Sequence, residues 1–298
     1  MSIFDELKSS YKKGSTLNKL IYINVGVFLL LHLAVIFLVL INKIARDESI
    51  NTVLYYLAVP ADLGELARRP WTLITYMFTH GYLYHILFNV LVLFWFGQLF
   101  IQEFGKKKIV GIYLIGGFAG AALYILFYNI FPFFDEVRAD SIATGASASV
   151  MAIVIAVATI APQRKMNLIL IGPVKILYIA LILFVTSTIL DFTDNTGGKI
   201  AHMGGALAGF LFARYYARGK DITGGFDRFM DRMATLFKPR RKNMKVTHKR
   251  PADDYEYNKT KVVEQKEIDA ILDKISKAGY DSLTSPEKEK LFNMKGRK

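Results

Sequence analysis

The sequence predicts an all-α, polytopic membrane protein: a six-transmembrane-helix bundle followed by a helical tail. Three observations predict it. Of 298 residues, 53% are hydrophobic and the mean hydropathy is +0.30, too apolar for an ordinary water-soluble chain of this length. The apolar residues fall in blocks near the ~20 residues that a bilayer crossing needs. Lys and Arg also sort the connections between blocks into a basic side and an acidic side.

The N-terminal stretch "MSIFDELKSSYKKGSTLNK" is polar, and the apolar run from Leu20 to Ile41 is too long for the core of a cleavable signal. It is read as an uncleaved first span, 20–41. The first loop, 42–78, is rich in Tyr, Trp, Leu and Pro, a mixture suited to the membrane interface. Further spans are predicted at about 79–101, 109–132, 141–162, 176–190 and about 199–216. Lys8, Lys12, Lys13 and Lys19 precede the first span, "QEFGKKK" follows the second, and "PQRKMNLILIGPVK" follows the fourth. The opposite side carries the acidic "FDEVRADS" and "DFTDNTGG". Six spans with both termini in the cytoplasm satisfy the positive-inside rule.

The net charge of +13 is unevenly spread. Residues 1–216 carry 17 basic and 12 acidic side chains, whereas residues 217–298 carry 21 and 13. The layout read from this is a cytoplasmic N-terminal segment, 1–19, a membrane domain, 20–216, a basic polar linker, 217–263, and a short helical hairpin, 264–298. The linker's run "KPRRKNMKVTHKR" is suited to anionic lipid. Nucleic acid is not expected as a partner, because no aromatic residues are interleaved as a stacking surface. In the tail, Ile268, Ile271, Leu272 and Ile275 fall on one helical face. Gly279 suits the end of that helix, and Thr284 or Ser285 the cap of the next. There is no Cys, which excludes disulfides and thiol catalysis.

Polar residues inside apolar spans are costly and tend to face the bundle interior. The second span holds His85 and Asn89, one helical turn apart on one face. The fourth holds Ser147, after Thr144 and Gly145, and also Ser149, which points elsewhere. The sixth holds His202 in "AHMGGALAG". These three spans run in the same direction, and each carries its polar cluster in its first half. At ~1.5 Å per residue, Ser147 is expected roughly 10 Å below the outer end of a 141–162 helix, with the histidines at similar depth. Gly205 and Gly209 follow His202 on roughly its own face as a GxxxG pair, which lets another backbone approach. The fourth span offers Gly145 and Ala148 for that approach, so the fourth and sixth spans are predicted to pack with Ser147 beside His202. His80 lies near the outer mouth and is read as support for the site.

Taken singly, each of these residues has a bland reading: a packing serine, a hydrogen-bonding asparagine, a structural histidine. Together they supply a nucleophile, a general base and oxyanion donors. A metal site is a poorer reading, because the two histidines lack a third ligand nearby. No cofactor is called for.

With "HILFN", "GAS" and "AHMGG" in this order, the chain resembles the rhomboid intramembrane serine proteases over about residues 15–218. The resemblance implies a bacterial-type, six-helix protease of a prokaryotic inner membrane. It implies Ser147 as nucleophile and His202 as general base, without a third carboxylate. His85, Asn89 and the Ser147 backbone N–H become the oxyanion donors, and "DFTDNTGG" a cap over the site. The implied substrates are membrane-anchored proteins cut in or near a transmembrane segment. Ala148 stands where family members usually carry Gly, Met151 where many carry an aromatic that stacks on the imidazole, and Thr72 where many carry Arg after Trp71. The alternatives are a non-catalytic relative that binds client helices and a transporter, although no paired broken helices suggest the latter.

Overall fold

A computed structural model of the chain describes residues 15–42, 45–168, 171–190, 195–226, 228, 232 and 254–294. The first three N-terminal lysines and the basic run 238–250 lie outside the described residues. The chain divides into two units, Met1–Lys238 and Pro239–Lys298.

In the first unit, α1 (Thr16–Asn42) leads to α2 (Arg46–Leu57). Asp47 and Glu48 sit in the first turn of α2, where the helix dipole favours acids. Ile50 and Leu54 of α2 pack on Leu31 and Val35 of α1, so the first loop begins as a helix laid against the bundle. Next come β1 (Val59–Pro60), α3 (Leu63–Arg68), α4 (Thr72–Thr75) and a 3-10 turn at Tyr76–Phe78. Asp62 caps α3 by accepting from the Glu65 N–H at 2.9 Å. Tyr55, Tyr56, Trp71, Tyr82 and Tyr84 are exposed, as an interfacial segment requires. The remaining helices are α5 (Leu83–Phe104), α6 (Lys108–Ile130), α7 (Ser147–Ile160), α8 (Ile176–Thr188) and α9 (Thr196–Ala217).

Among the described residues, α1, α5 and α6 are long and apolar enough to cross a membrane. The helices α7 and α8 are apolar but have only 14 and 13 residues, and α9 includes Lys199 and Arg214. At 1.5 Å per residue α7 is only about 21 Å long, against a hydrocarbon core of ~30 Å. It can be short because it is enclosed: ten of its 14 residues are buried. The core is a seam of α6, α7 and α9 lined with small residues. A methyl group added at Gly205 or Gly209 of α9 would collide with the Ala148 or Ala152 carbonyl of α7. A methyl at Gly116 of α6 would strike the Ala152 methyl, and one at Gly204 the Ala119 carbonyl. The predicted pairing of the fourth and sixth spans is present, with α6 as a third member.

One boundary needs correction. Residues 141–146 do not continue the fourth helix. Ile142–Ala143 form β2, which pairs antiparallel with β1 (Val59 with Ala143, Pro60 with Ile142). Gly145 has φ +110°, a conformation that ends any helical path through it. Ser147 is therefore the first residue of its helix, not a residue ~10 Å down one. Irregular backbone at such depth is tolerated when protein surrounds it, and Ala143 and Ala146 are buried. A second ribbon, β3 (Lys165–Leu168) with β4 (Gly172–Lys175), occupies the connection after α7. Arg164 beside it pairs with Glu103 and donates to Gln102 at the end of α5.

In the second unit, α10 (Asp254–Ala278) begins ten residues before the expected 264. Gly279, at φ +74°, ends it, and α11 (Ser285–Met294) follows. Ile271 and Leu283 are its buried apolar residues among those described. Glu287 accepts from the backbone N–H and hydroxyl of Thr284, at 2.7 and 2.8 Å, in the manner of a capping box. These two bonds, then Lys274, hold the Glu287 carboxyl down to about 2. A folded-state value below the ordinary ~4.3 means that this cap contributes fully above that pH. The contribution is lost as pH falls through about 2.

Candidate active site

The first turn of α7 is held in place by the loop before α5. The Gly145 N–H donates to the Tyr76 carbonyl at 2.9 Å, and the Ala146 N–H to Nε2 of His80 at 3.3 Å. The Nδ1 of His80 lies 3.2 Å from the Phe78 carbonyl. These partners assign the His80 proton to Nδ1, because Nε2 must accept. His80 is fully buried, and its ring holds the backbone of the residue before Ser147. With residues 145 and 146 bonded elsewhere, the next N–H groups, beginning with that of Ser147, form the start of a helix, where no intrahelical acceptor exists. That end carries a partial positive charge.

His85 and Asn89 lie one turn apart on α5. The His85 ring packs directly on Gly145: a methyl there would lie 2.5 Å from its Cε1 and Nε2. The His80 and His85 rings meet edge-on with centroids 4.9 Å apart. The Asn89 amide donates to the His85 carbonyl at 2.8 Å. On α9, Nδ1 of His202 lies 2.8 Å from the Ser187 carbonyl of α8. A carbonyl can only accept, so Nδ1 carries the proton and Nε2 is the acceptor. In the place of a carboxylate, a backbone carbonyl orients this ring.

Ser147, His202, His85 and Asn89 line one open cavity of about 440 Å³, together with Met151 and Ser187. The layer of polar groups expected from three separate spans is thus a single concave site. Ser149 is not among its walls; it is buried, and its hydroxyl lacks a hydrogen-bond partner among the described residues. Ala148 is accommodated because its methyl faces Gly120 of α6, where any side chain would meet it at 2.5 Å. Met151 shares the cavity with His202. Of the loop "DFTDNTGG", residues 191–194 lie outside the described residues, whereas Asn195 and Gly198 line the cavity. Asn195 caps α9 by accepting from the Gly198 N–H at 3.3 Å. Among the described residues, no three His, Cys, Asp or Glu side chains cluster as metal ligands would.

Sequence reasoning missed Ser187 and Lys199. Ser187 acts through its carbonyl, which no side-chain pattern discloses, although a carbonyl in the last turn of a helix is the kind left without an intrahelical partner. Lys199 was visible as a lysine in an apolar span. It is buried, and its ammonium donates to the Leu190 carbonyl at 2.7 Å.

Chemically, the cavity presents a hydroxyl at a helix N-terminus, an imidazole with an oriented acceptor nitrogen, and further donors on one side. Comparison with known proteins identifies the family of the chain. A rhomboid domain model matches residues 67–219, just over half of the chain, and a family of unknown function (DUF6576) matches residues 253–293. RHOMBOID-like protein 7 of Arabidopsis thaliana is 27% identical over 144 residues, 48% of this chain and 42% of that protein. RHOMBOID-like protein 6, mitochondrial, of the same plant is 30% identical over 145 residues, 47% and 41% of the two chains. RHOMBOID-like protein 4 is 29% identical over 145 residues, covering 47% and 32%. The chain spans less than half the length of these curated relatives. Apolar helices, family match and packing together make it an integral, multi-pass membrane protein, and it belongs to the rhomboid family.

Proposed function

We propose that this rhomboid is an intramembrane serine endopeptidase with a Ser147–His202 dyad. The observation that supports it best is the shared cavity of Ser147, His202, His85 and Asn89, with His202 held as the Nδ1–H tautomer by Ser187. In this reading Nε2 of His202 takes the Ser147 hydroxyl proton as Oγ attacks the scissile carbonyl carbon. Negative charge moves onto the carbonyl oxygen, where the Ser147 backbone N–H, a ring N–H of His85 and the Asn89 amide stabilise it. Each such donor contributes about 3 kcal/mol in a water-poor site. The imidazolium then gives its proton to the leaving amine, and the acyl ester on Ser147 remains. Water, deprotonated by Nε2, attacks that ester, and Oγ recovers the proton as the carboxylate product departs. The open cavity supplies that water.

The substrates proposed are membrane-anchored proteins, cut in or near a transmembrane segment. The proposed placement is a prokaryotic inner membrane with six spans and both termini cytoplasmic, supported by the basic and acidic loops. The basic tail segment is proposed to meet anionic lipid, and the proposed layout remains the N-terminal segment, membrane domain, linker and hairpin.

The test is cleavage of a tagged transmembrane substrate by purified protein, with fluorophosphonate labelling alongside. Ser147→Ala and His202→Ala should each reduce cleavage by at least about 10³-fold, and Ser147→Ala should abolish labelling. Cleavage by both variants at the parent rate would sink the mechanism. A parent that neither cleaves nor labels, yet co-purifies with membrane proteins, would favour a non-catalytic client-binding rhomboid.

A further inference from the structure

Lys199 occupies a position that local physics disfavours. It sits in the first turn of α9, where the helix dipole repels cations, and it is buried, where an ammonium is costly. A broken local rule of this kind calls for a compensating gain nearby. One such gain is at the facing end of α8. Lys199 donates to the Leu190 carbonyl at 2.7 Å, and His202 pairs with the Ser187 carbonyl at 2.8 Å. The two donors are three residues apart on α9, and the two acceptors are three residues apart at the C-terminal end of α8. The helices run antiparallel, so these are two rungs of one ladder: the Ser187 carbonyl belongs to the last turn of α8, and the Leu190 carbonyl lies two residues past its end.

The second rung matters because α8 packs on the bundle along one face only, with Ile179, Leu183 and Phe184 partly buried against the core. Its buried residues are Ile176, Ala180 and Thr188, whereas Tyr178, Leu181, Ile182, Val185, Ile189 and Leu190 are exposed. We infer that Lys199 is a positioning residue: by anchoring the C-terminal end of α8 it keeps the Ser187 carbonyl where it fixes the orientation and tautomer of His202. The ammonium acts through backbone, at one remove from the reacting atoms. A consequence is that drawing the end of α8 away from α9 withdraws the acceptor that orients the base.

This inference rests on the protease reading for its effect on rate, but not for its effect on the imidazole. The test uses the full-length protein in detergent or lipid with Lys199→Met, which keeps the stem, and Lys199→Arg, which keeps a cationic donor. Nitrogen NMR of the His202 side chain should show one Nδ1–H tautomer in the parent and in Lys199→Arg, and a tautomer mixture in Lys199→Met. In the cleavage assay Lys199→Met should lose about ten- to a hundredfold in kcat, with KM nearly unchanged, and Lys199→Arg should recover most of it. An unaltered imidazole signal in Lys199→Met would overturn the inference, as would a loss confined to thermal stability. A parent without activity would defeat the protease reading alone; the imidazole signal would still decide the role of Lys199.

Discussion

The α7–α9 seam and the α8 wall hold the same site in opposite ways. In the seam, Gly205 and Gly209 bring α9 against the carbonyls of Ala148 and Ala152 so closely that a methyl has no room. Along α8, three side chains are buried, Ile179, Leu183 and Phe184 are partly buried against the core, and the outer face is exposed. Ser147 belongs to the first region, while the acceptor that orients His202 belongs to the second. The Ser147 end of α7 is therefore fixed by close packing, whereas the His202 ring is oriented by a hydrogen bond to a carbonyl of α8, which can open and close. Placement is robust on one side of the cavity and adjustable on the other.

The comparison breaks most readily in the seam. Gly205→Val forces a branched side chain into the Ala148 backbone, and should cost about 3 kcal/mol or more. Unfolding in mixed micelles would register this as a large fall in the midpoint, together with loss of fluorophosphonate labelling. Native stability in that variant would mean that α7 and α9 can separate freely. A smaller effect is expected at Gly145→Ala, where φ is +110° and the His85 ring lies in the way. The strain should cost about 1–3 kcal/mol, and labelling of Ser147 should fall more steeply than stability, because His85 must move. The smallest effect is expected on α8. Ile182→Ala removes an exposed side chain and should change stability by no more than about 0.5 kcal/mol. A loss as large as that at Gly145 would show that α8 is as firmly packed as the seam.

The parts of this arrangement that were legible in the sequence are those carried by side chains. His202 and Ser147 are chemically conspicuous in apolar spans, and Gly205 and Gly209 announce a close approach. What the sequence concealed is carried by backbone. Hydropathy counts Ser141 to Pro162 as one crossing, because a buried strand and turn are as uncharged as a helix. The crowd of Ser, Thr and Gly at its start marked a segment that leaves the helix, with Gly145 as the point of departure. The pairing of Val59 with Ala143 joins segments far apart in the chain, and no local period reports it. The Ser187 carbonyl belongs to a residue whose side chain gives no hint of its use.

The pairing of β1 with β2, and the bonds from Gly145 and Ala146 to Tyr76 and His80, also bear on the timing of folding. The residues that set the start of α7 precede it by roughly two helices in order of synthesis. The bonding partners of Gly145 and Ala146 are thus synthesised before Ser147. The histidine that completes the cavity comes two helices later still. A chain inserted only as far as α7 thus carries the Ser147 hydroxyl without His202, and the proposed pair is incomplete until α9 has docked.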